Sequence, residues 1–348
     1  MRPIIASYRS IIRTTFRHKP STQFSSYYPF SKSPSFSRGY ASSTIRPQFK
    51  PLGQTLNLPS GRILDYHTSG VPDGIPVIYI HGNPDSGIQI RGDLEVKVAK
   101  KLGIQWIGPD RPGIGLSTMT ENQGVKDYSQ DVRSLVDHLQ LKECFMLGTS
   151  GGTGYTLACA RDPPPQLRGI GICAGVGPVE CGFESMGDII KQAWDYWRDH
   201  SAELTAYIEA EYTHLARASD ATELRERIEA DLRSYLTGDE LAHNLQENMM
   251  ESAVQGHRQI YAQGAAAHAY GIAVNMRSWG FKVEDIQFPG IKFWYGSDDI
   301  HTTPTMGKYM AERLPGSVYK EYLGKSHLTI WNKEDLEDML RGLVGAGR

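Results

Sequence analysis

Acidic residues are missing from the start of the chain, and the first of them is Asp65. The segment 1–44 instead carries seven basic residues and many serines, and its isoleucines and aromatic residues recur at helical spacing. A basic amphipathic helix without acidic residues is typical of a mitochondrial presequence. We therefore predict a presequence or disordered segment over 1–44, with cleavage near Tyr40 and a location in the mitochondrial matrix. A basic tail on a cytoplasmic protein is the alternative.

The chain also has little cysteine and no long apolar run. Its four cysteines show no Cys-x-x-Cys spacing, which argues against a disulfide scaffold or a zinc site and favours core thiols. No apolar stretch is long enough to span a bilayer. After residue 40 there are 30 basic and 39 acidic residues, a net charge of −9, and no basic stripe. We therefore expect no nucleic-acid partner and no membrane span.

What the chain does contain is an alternation of strand-like and helix-like segments from residue 56 to 174. This alternation predicts an α/β fold with a mostly parallel sheet and helices on both faces. The sheet pattern then stops for about a hundred residues. We predict two parts of one core at 52–175 and 281–348, with a helical cap at 176–280 between them. The apolar periodicity predicts cap helices at 189–200, 202–217, 221–236, 238–253 and 257–273.

A tight turn is predicted around Ser150, within the pattern Gly-x-Ser-x-Gly that runs from Gly148 to Gly152. The turn lies between an apolar, strand-like run and a helix-like run. A serine on such a turn adopts backbone angles that require small neighbours on both sides. The amides at the start of the following helix then face any oxyanion that forms there. The pattern therefore indicates a nucleophilic Ser150, although a plain glycine-rich turn would also fit it.

Three motifs follow one another in the chain. They are a His-Gly-Asn-Pro turn that begins at His81, an Asp-Arg-Pro-Gly-x-Gly-x-Ser run that begins at Asp110, and the turn around Ser150. Their order and spacing resemble the capped serine-hydrolase branch of the α/β-hydrolase superfamily, over nearly the whole chain from about residue 52. The resemblance implies the α/β-hydrolase fold with an inserted helical cap, a small-molecule substrate, and neither a metal nor an organic cofactor.

The superfamily order of nucleophile, acid and histidine implies the rest of a catalytic triad. A strand-like run at 291–295 leads to Asp298 and Asp299, and a second run at 318–323 leads to His327. Asp299 matches the family spacing after a glycine better than Asp298, which stays as the alternative. His327 would take the proton of the serine hydroxyl, and the acid would orient the histidine.

The resemblance also implies an oxyanion hole made of two backbone N–H groups. One belongs to Gly151, the residue after the predicted nucleophile. The other belongs to Asn83, with Gly82 as the alternative. We interpret Asp110 and Arg111 as a structural pair after the third strand of the parallel sheet.

The predicted function is that of a serine hydrolase that cleaves a small or medium carboxylic ester, thioester or lactone through an acyl-enzyme on Ser150. The His-Gly-Asn-Pro turn also resembles the halide-binding loop of haloalkane dehalogenases. Those enzymes and the epoxide hydrolases, however, use aspartate as the nucleophile. A prolyl-aminopeptidase-like peptidase is an alternative, although the motifs of that family, His-Gly-Gly-Pro-Gly and Gly-Gly-Ser-Trp-Gly, differ from those here. A non-catalytic receptor for a small ligand on the same fold is a second alternative.

Overall fold

The computed structural model describes residues 51–120 and 124–345, so the predicted presequence lies outside the described residues. Its centre is one eight-stranded sheet. The strands are β1 (Gln54–Asn57), β2 (Ile63–Gly70), β3 (Ile75–Ile80), β4 (Ile104–Pro109), β5 (Cys144–Thr149), β6 (Leu167–Cys173), β7 (Lys292–Gly296) and β8 (Val318–Tyr322).

The strands are arranged in the order β1-β2-β4-β3-β5-β6-β7-β8. β2 pairs antiparallel with β1 and with β4, whereas all pairs from β4 to β8 are parallel. The carboxyl ends of the parallel strands therefore meet at one edge, which is where open α/β sheets place their ligands. The predicted class, a mostly parallel sheet with helices around it, is confirmed.

Twelve helices are described. Those of the core are α1 (Asp93–Leu102), α2 (Tyr128–His138), α3 (Thr153–Arg161), α11 (Pro304–Ala311) and α12 (Lys333–Gly345). Those between β6 and β7 are α4 (Asp188–Asp199), α5 (Ser201–Ile208), α6 (His214–Arg217), α7 (Thr222–Tyr235), α8 (Gly238–Asn244), α9 (Glu247–Ile260) and α10 (Ala266–Asn275). We call the segment 188–275 the helical insert. None of the helices in the described ranges is both long and apolar enough to cross a membrane.

The sheet separates two apolar cores because successive residues of a strand face opposite sides. On β3, Val77 and Tyr79 pack with residues of α1 and α12. Ile78 and Ile80 pack on the other side with residues of α2, α3 and α11. Both faces of the strand are thus covered, which explains its continuous apolar run. Of the four free cysteines, Cys144, Cys159 and Cys173 are buried and Cys181 is half-buried.

The helical insert has an apolar core of its own, which includes Trp194, Trp197, Tyr212 and Tyr261. The same cluster contains Val176 and Leu328, which lie in loops that follow β6 and β8. The insert therefore packs over the carboxyl edge of the sheet. Burial of each large apolar side chain in this contact contributes about 1.5–3 kcal/mol.

Two of the predicted helices in this region are divided in the structure. The predicted helix 238–253 ends at Asn244 and restarts at Glu247, because the backbone of Gln246 is extended. The predicted helix 257–273 is interrupted by Gly264, whose φ of 110° lies outside the helical region. The apolar periodicity continued across both breaks, so it could not indicate them.

Candidate active site

Ser150 lies between β5 and α3, as the Gly-x-Ser-x-Gly pattern predicted. Its φ is 48°, in the left-handed region that residues other than glycine rarely adopt. Two hydrogen bonds to its carbonyl oxygen hold this conformation, from Thr153 Oγ1 at 2.7 Å and Val176 N at 3.0 Å. A non-glycine residue in such a conformation persists only where its surroundings enforce it, which is common at functional sites.

The glycines on both sides of Ser150 are required by close packing. A Cβ on Gly148 would lie 2.1 Å from Thr156 Oγ1, and one on Gly152 would lie 2.4 Å from the carbonyl oxygen of Ile80. Both distances are far shorter than van der Waals contact. Helix α3 can therefore pack directly against β5 and β3 only with glycine at these positions, and this packing fixes where Ser150 stands.

Asp299 and His327 form a buried pair after β7 and β8. His327 Nδ1 lies 2.7 Å from Asp299 Oδ2, so the Nδ1–H group donates to the carboxylate. The other carboxylate oxygen, Oδ1, accepts from the backbone N–H groups of His301 at 2.8 Å and Thr302 at 2.9 Å. The structure thus brings Asp299 to His327, as the preferred assignment predicted. Asp298 instead contacts Ser297 Oγ at 2.6 Å.

The charged form of Asp299 is favoured by its surroundings. Burial alone would raise the pKa of Asp299, but attraction to His327 and hydrogen bonds from His327 and Thr302 outweigh it and hold the pKa below its ordinary value. A carboxylate that stays ionised can orient the ring and stabilise its protonated form.

Thr302 is a part of this site that the sequence did not indicate. Its Oγ1 lies 2.8 Å from Asp299 Oδ2, 2.9 Å from His327 Nδ1 and 2.8 Å from the carbonyl oxygen of Ala174. Ala174 directly follows β6 and lies two residues before Val176, whose N–H donates to the carbonyl oxygen of Ser150. The loop after β6 therefore touches both the serine and the Asp–His pair. A threonine three residues after the acid was the available signal, but a helix cap would also explain it.

The predicted oxyanion residues lie together beside Ser150. A Cβ on Gly82 would lie 3.1 Å from Ser150 Cβ, and one on Gly151 would lie 3.3 Å from the backbone nitrogen of Asn83. Gly151 is in the first turn after the nucleophile, where N–H groups have no intrahelical acceptor. The side chain of Asn83 faces away, since its Nδ2 donates to the carbonyl oxygen of His268 at 3.2 Å.

Arg111 supports this loop and does not pair with Asp110 as the sequence predicted. Within the described residues, its guanidinium donates to the carbonyl oxygens of Gly82 at 2.6 Å and Gly151 at 3.4 Å. Its backbone N–H donates to His81 Nε2 at 3.0 Å. Burial, followed by the positive charge of Arg111, lowers the pKa of His81 to about 3. His81 is therefore neutral and acts as a hydrogen-bonding support of the loop.

Asp110 belongs to a second polar cluster, which lies where β2 pairs with β4. Ligand atoms of Asp65, His67 and Asp110 lie within 4.8 Å of one another, a spacing that could suit a metal ion. The centre of the cluster holds Gln259 Nε2 from the helical insert, 2.8 Å from Asp65 Oδ2, 2.9 Å from Asp110 Oδ2 and 3.2 Å from His67 Nε2. The two N–H groups of this amide can donate to the two carboxylates, and His67 Nε2–H can donate to Asp110. The residues therefore fit an internal hydrogen-bond network better than a metal site.

A groove of about 690 Å³ lies between α1, the start of α9 and the loop around His327. Its apolar lining includes Leu94, Met249 and Leu328, the residue after His327. Pockets for small ligands have volumes in this range and a mostly apolar lining. The groove borders the loop that carries His327, but Ser150, Asp299 and His327 are not among its lining residues.

The sequence is similar to part of two curated proteins, whereas no protein-family model matches the chain. It is 26% identical over 152 residues to a proline iminopeptidase of Arabidopsis thaliana, covering 40% of this chain and 39% of that protein. It is 29% identical over 110 residues to a proline iminopeptidase of Neisseria gonorrhoeae, covering 30% and 34%. The chain thus spans only about a third to two fifths of the length of the curated relatives it matches.

The structure is similar to solved hydrolases over its whole described core. An esterase from Thermogutta terrifontis superposes with a TM-score of 0.59 at 18% identity, covering 85% of this chain and 100% of that one. An enol-lactonase from Burkholderia xenovorans LB400 superposes with a TM-score of 0.55 at 16% identity, covering 84% and 100%. The chain therefore has the α/β-hydrolase fold, as predicted.

Proposed function

We propose that the protein is a serine hydrolase that acts through a Ser150–His327–Asp299 triad. The observation that carries the proposal is the buried pair His327 Nδ1–Asp299 Oδ2, which leaves the Nε2 lone pair of His327 free to accept a proton. A histidine in this tautomer is the base that a serine hydroxyl requires. The resting conformation of Ser150, held on a strained turn at the same edge of the sheet, supports the same assignment.

The reaction follows from these groups. Ser150 Oγ attacks the substrate carbonyl carbon while His327 Nε2 takes the hydroxyl proton, and the carbonyl oxygen becomes an oxyanion. The oxyanion accepts hydrogen bonds from the N–H groups of Gly151 and Asn83. Collapse of the tetrahedral intermediate breaks the bond to the leaving group, which receives the proton from His327. Water then attacks the acyl-enzyme by the same steps and releases the carboxylic acid and Ser150.

The backbone N–H of Asn83 is a better second donor to the oxyanion than that of Gly82. The sequence had left Gly82 as an alternative. Gly82 lies against the Ser150 side chain, where a Cβ would be 3.6 Å from Ser150 Oγ. Its role is to leave room for the serine. The backbone nitrogen of Asn83 lies beside Gly151 and can act together with the N–H of Gly151 on one oxygen atom.

The proposed substrate is a small or medium carboxylic ester, thioester or lactone. The helical insert over the carboxyl edge limits the size of the acyl and leaving groups. We expect turnover of short and medium acyl esters and small lactones, and none of long-chain triacylglycerols.

A proline-releasing peptidase is the second candidate, because both curated relatives are named proline iminopeptidases. A panel of p-nitrophenyl esters, small lactones and proline p-nitroanilide separates the two. A kcat/KM for the anilide above that for every ester would make the peptidase the correct assignment.

Labelling with a fluorophosphonate probe tests the mechanism itself. We expect the wild-type protein to be labelled at Ser150, and Ser150→Ala to lose both labelling and ester hydrolysis while it stays folded. Ser129→Ala, which removes another buried hydroxyl, is the matched control and should keep both. An active Ser150→Ala variant would contradict the proposal. Labelling of the wild type without turnover of any ester or anilide would favour a ligand receptor.

We also propose a mitochondrial matrix location, which rests on the composition of residues 1–44 alone. A fusion of these residues to a fluorescent reporter should enter mitochondria and have a mature amino terminus close to Ala41. Replacing the arginines of the segment with glutamine is the matched control and should leave the reporter in the cytosol. A wild-type fusion that stays in the cytosol would overturn this proposal.

A further inference from the structure

Asn275 is the last residue of α10 in the helical insert, and its side chain reaches the nucleophile turn. A Cβ built on Gly151 would lie 2.4 Å from Asn275 Nδ2 and 3.3 Å from the backbone nitrogen of Asn83. The backbone nitrogen of Gly151 is only two covalent bonds from that same point. Nitrogen atoms from three separate parts of the chain therefore lie around the Cα of Gly151, beside Ser150.

One face of α10 is responsible for this placement. The carbonyl oxygen of His268 accepts the hydrogen bond from Asn83 Nδ2 at 3.2 Å. Gly271 allows Asn83 to approach closely, since a Cβ there would lie 2.0 Å from Asn83 Oδ1. Residues 268, 271 and 275 are spaced by three and four, so they share one face of the helix. The contact with Asn83 therefore sets the position of Asn275 relative to the predicted oxyanion hole.

The amide of Asn275 lacks a hydrogen-bond partner within the described part of the chain. The side chain is 2% exposed, and no residue within 51–120 or 124–345 pairs with its amide. A buried polar group without a partner costs about 1–3 kcal/mol, and most such groups are paired. A ligand oxygen that is held beside Gly151 by the N–H groups of Gly151 and Asn83 would supply the missing acceptor.

We propose that Asn275 is a further catalytic residue, whose Nδ2–H group donates a third hydrogen bond to the substrate carbonyl oxygen. This rests on the proposed function and adds to it that the helical insert supplies part of the oxyanion hole. Negative charge on that oxygen grows during attack by Ser150, so the hydrogen bond strengthens toward the transition state and accelerates the reaction. The oxyanion hole is complete only when α10 is seated on the core.

Three variants of Asn275 test this role. Asn275→Ala removes the donor, and Asn275→Leu removes it while keeping the size of the side chain. Each should lower kcat/KM for p-nitrophenyl butyrate by about 100-fold to 1000-fold, as loss of one oxyanion donor does. Asn275→Asp should be slower still, because its carboxylate repels the oxyanion. Its relative rate should recover as the pH is lowered, since a protonated carboxyl can donate again.

The matched control is Asn244, a buried asparagine at the end of another helix of the insert. Asn244→Ala and Asn244→Asp should keep kcat/KM within about threefold and show the wild-type pH profile. Thermal unfolding of all variants separates loss of the donor from loss of the fold. If Asn275→Ala is unfolded, the same comparison is made with Asn275→Leu.

Binding of an alkyl boronic acid gives a readout that a merely structural role would not change. Its tetrahedral adduct with Ser150 places an oxygen in the oxyanion hole, so its affinity should fall by about the same factor as kcat/KM. Unchanged kcat/KM and boronate affinity in folded Asn275 variants would overturn the role of Asn275 alone. A wild-type protein that fluorophosphonate does not label at Ser150 would instead overturn the proposed function and this inference with it.

Discussion

Two buried Asp–His pairs lie in the two halves of the sheet, and they differ in what the histidine can still do. In the Asp299–His327 pair the bond is 2.7 Å long and uses Nδ1, so Nε2 is available for a proton. In the Asp110–His67 pair the bond is 3.2 Å long and uses Nε2, which also meets the amide of Gln259. His67 Nδ1 is buried without a partner among the described residues.

The difference shows that a carboxylate and a histidine do not make a catalytic site by themselves. Asp299 and His327 follow parallel strands at the carboxyl edge, where the loop after β6 links them to Ser150. Asp110 and His67 lie where β4 pairs with the antiparallel β2, and a glutamine of the insert closes the cluster. In the proposed mechanism the first pair transfers a proton, whereas the second pair joins the helical insert to the core through Gln259.

The largest effect should distinguish the two histidines. His327→Ala should lower kcat by about 10⁴-fold or more, because no other group can take the serine proton. His67→Ala should keep kcat within about tenfold, although it should lower the melting temperature. Steady-state kinetics with p-nitrophenyl butyrate and thermal unfolding measure both. Comparable loss of kcat in the two variants would show that the comparison is wrong.

Combination with Ser150→Ala sharpens the test. Because Ser150 and His327 act as one unit, the double variant Ser150→Ala/His327→Ala should be hardly slower than either single variant. Losses that multiply would mean that the two residues act in separate steps.

The next largest effect should distinguish the adjacent aspartates. Asp299→Asn keeps the shape of the side chain but favours the wrong tautomer of His327, so we expect kcat to fall by about 10³-fold or more. Asp298→Asn changes an exposed side chain that contacts Ser297 and should leave kcat within about twofold. The reverse ranking in steady-state kinetics would assign the acid to Asp298.

The sequence predicted the Asp299–His327 pair because both residues follow strands, and the order of strands in this fold is regular. Ser150, Asp299 and His327 each lie in the loop or turn that follows a strand of the parallel part of the sheet, so parallel pairing alone brings these segments to one edge. The sheet class was predictable for the same reason, since both faces of β3 are covered and its run is apolar throughout. These inferences depend on short-range patterns that a single chain displays.

The second cluster and Asn275 could not be predicted, because they depend on how the insert is seated. Gln259 and Asn275 lie in helices whose apolar periodicity indicates a buried face but not what that face meets. Asp65 and Asp110 are separated from Gln259 by well over a hundred residues, and no local pattern links them. The predicted pairing of Asp110 with Arg111 was wrong for this reason. Adjacent side chains after a strand point to different sides. Asp110 therefore contacts His67 and Gln259, whereas Arg111 contacts the carbonyl oxygen of Gly82.

A third prediction concerns the anchor that Gln259 provides. Gln259→Leu removes the donors that face Asp65 and Asp110 and leaves buried acceptors unpaired, so we expect the free energy of unfolding to fall by about 3 kcal/mol or more. Gln263→Leu is the matched control. It removes two hydrogen bonds, to the carbonyl oxygens of Gly115 and Ser117, in a half-buried place and should cost about 1–2 kcal/mol. Urea unfolding measures both, and an equal cost would argue against a special role of the cluster.

The last prediction is a fall in stability with rising pH, which the second cluster should cause. Burial, followed by the charge of Asp110, raises the pKa of Asp65 to about 7. In the unfolded chain the pKa of an aspartate is about 3.9. Between these values the folded protein retains a proton that the unfolded chain has lost. Rising pH therefore destabilises the fold across this window, by at most about 1.4 kcal/mol per pH unit.

Asp65→Asn should remove that dependence. Asp65 Oδ2 accepts from Leu116 N at 2.9 Å and from Gln259 Nε2 at 2.8 Å, and the asparagine carbonyl can keep both bonds. The free energy of unfolding of the variant, relative to wild type, should therefore rise from pH 4 to pH 7 and be constant above pH 7. The lowered pKa of Asp110 acts below this window and does not change the sign. Asp298→Asn is the control and should follow the wild-type curve, as urea unfolding at a series of pH values would show. A constant difference between Asp65→Asn and wild type would mean that Asp65 ionises in the folded protein as readily as in the unfolded chain. The Asp65 carboxylate would then be charged at neutral pH, as that of Asp299 is.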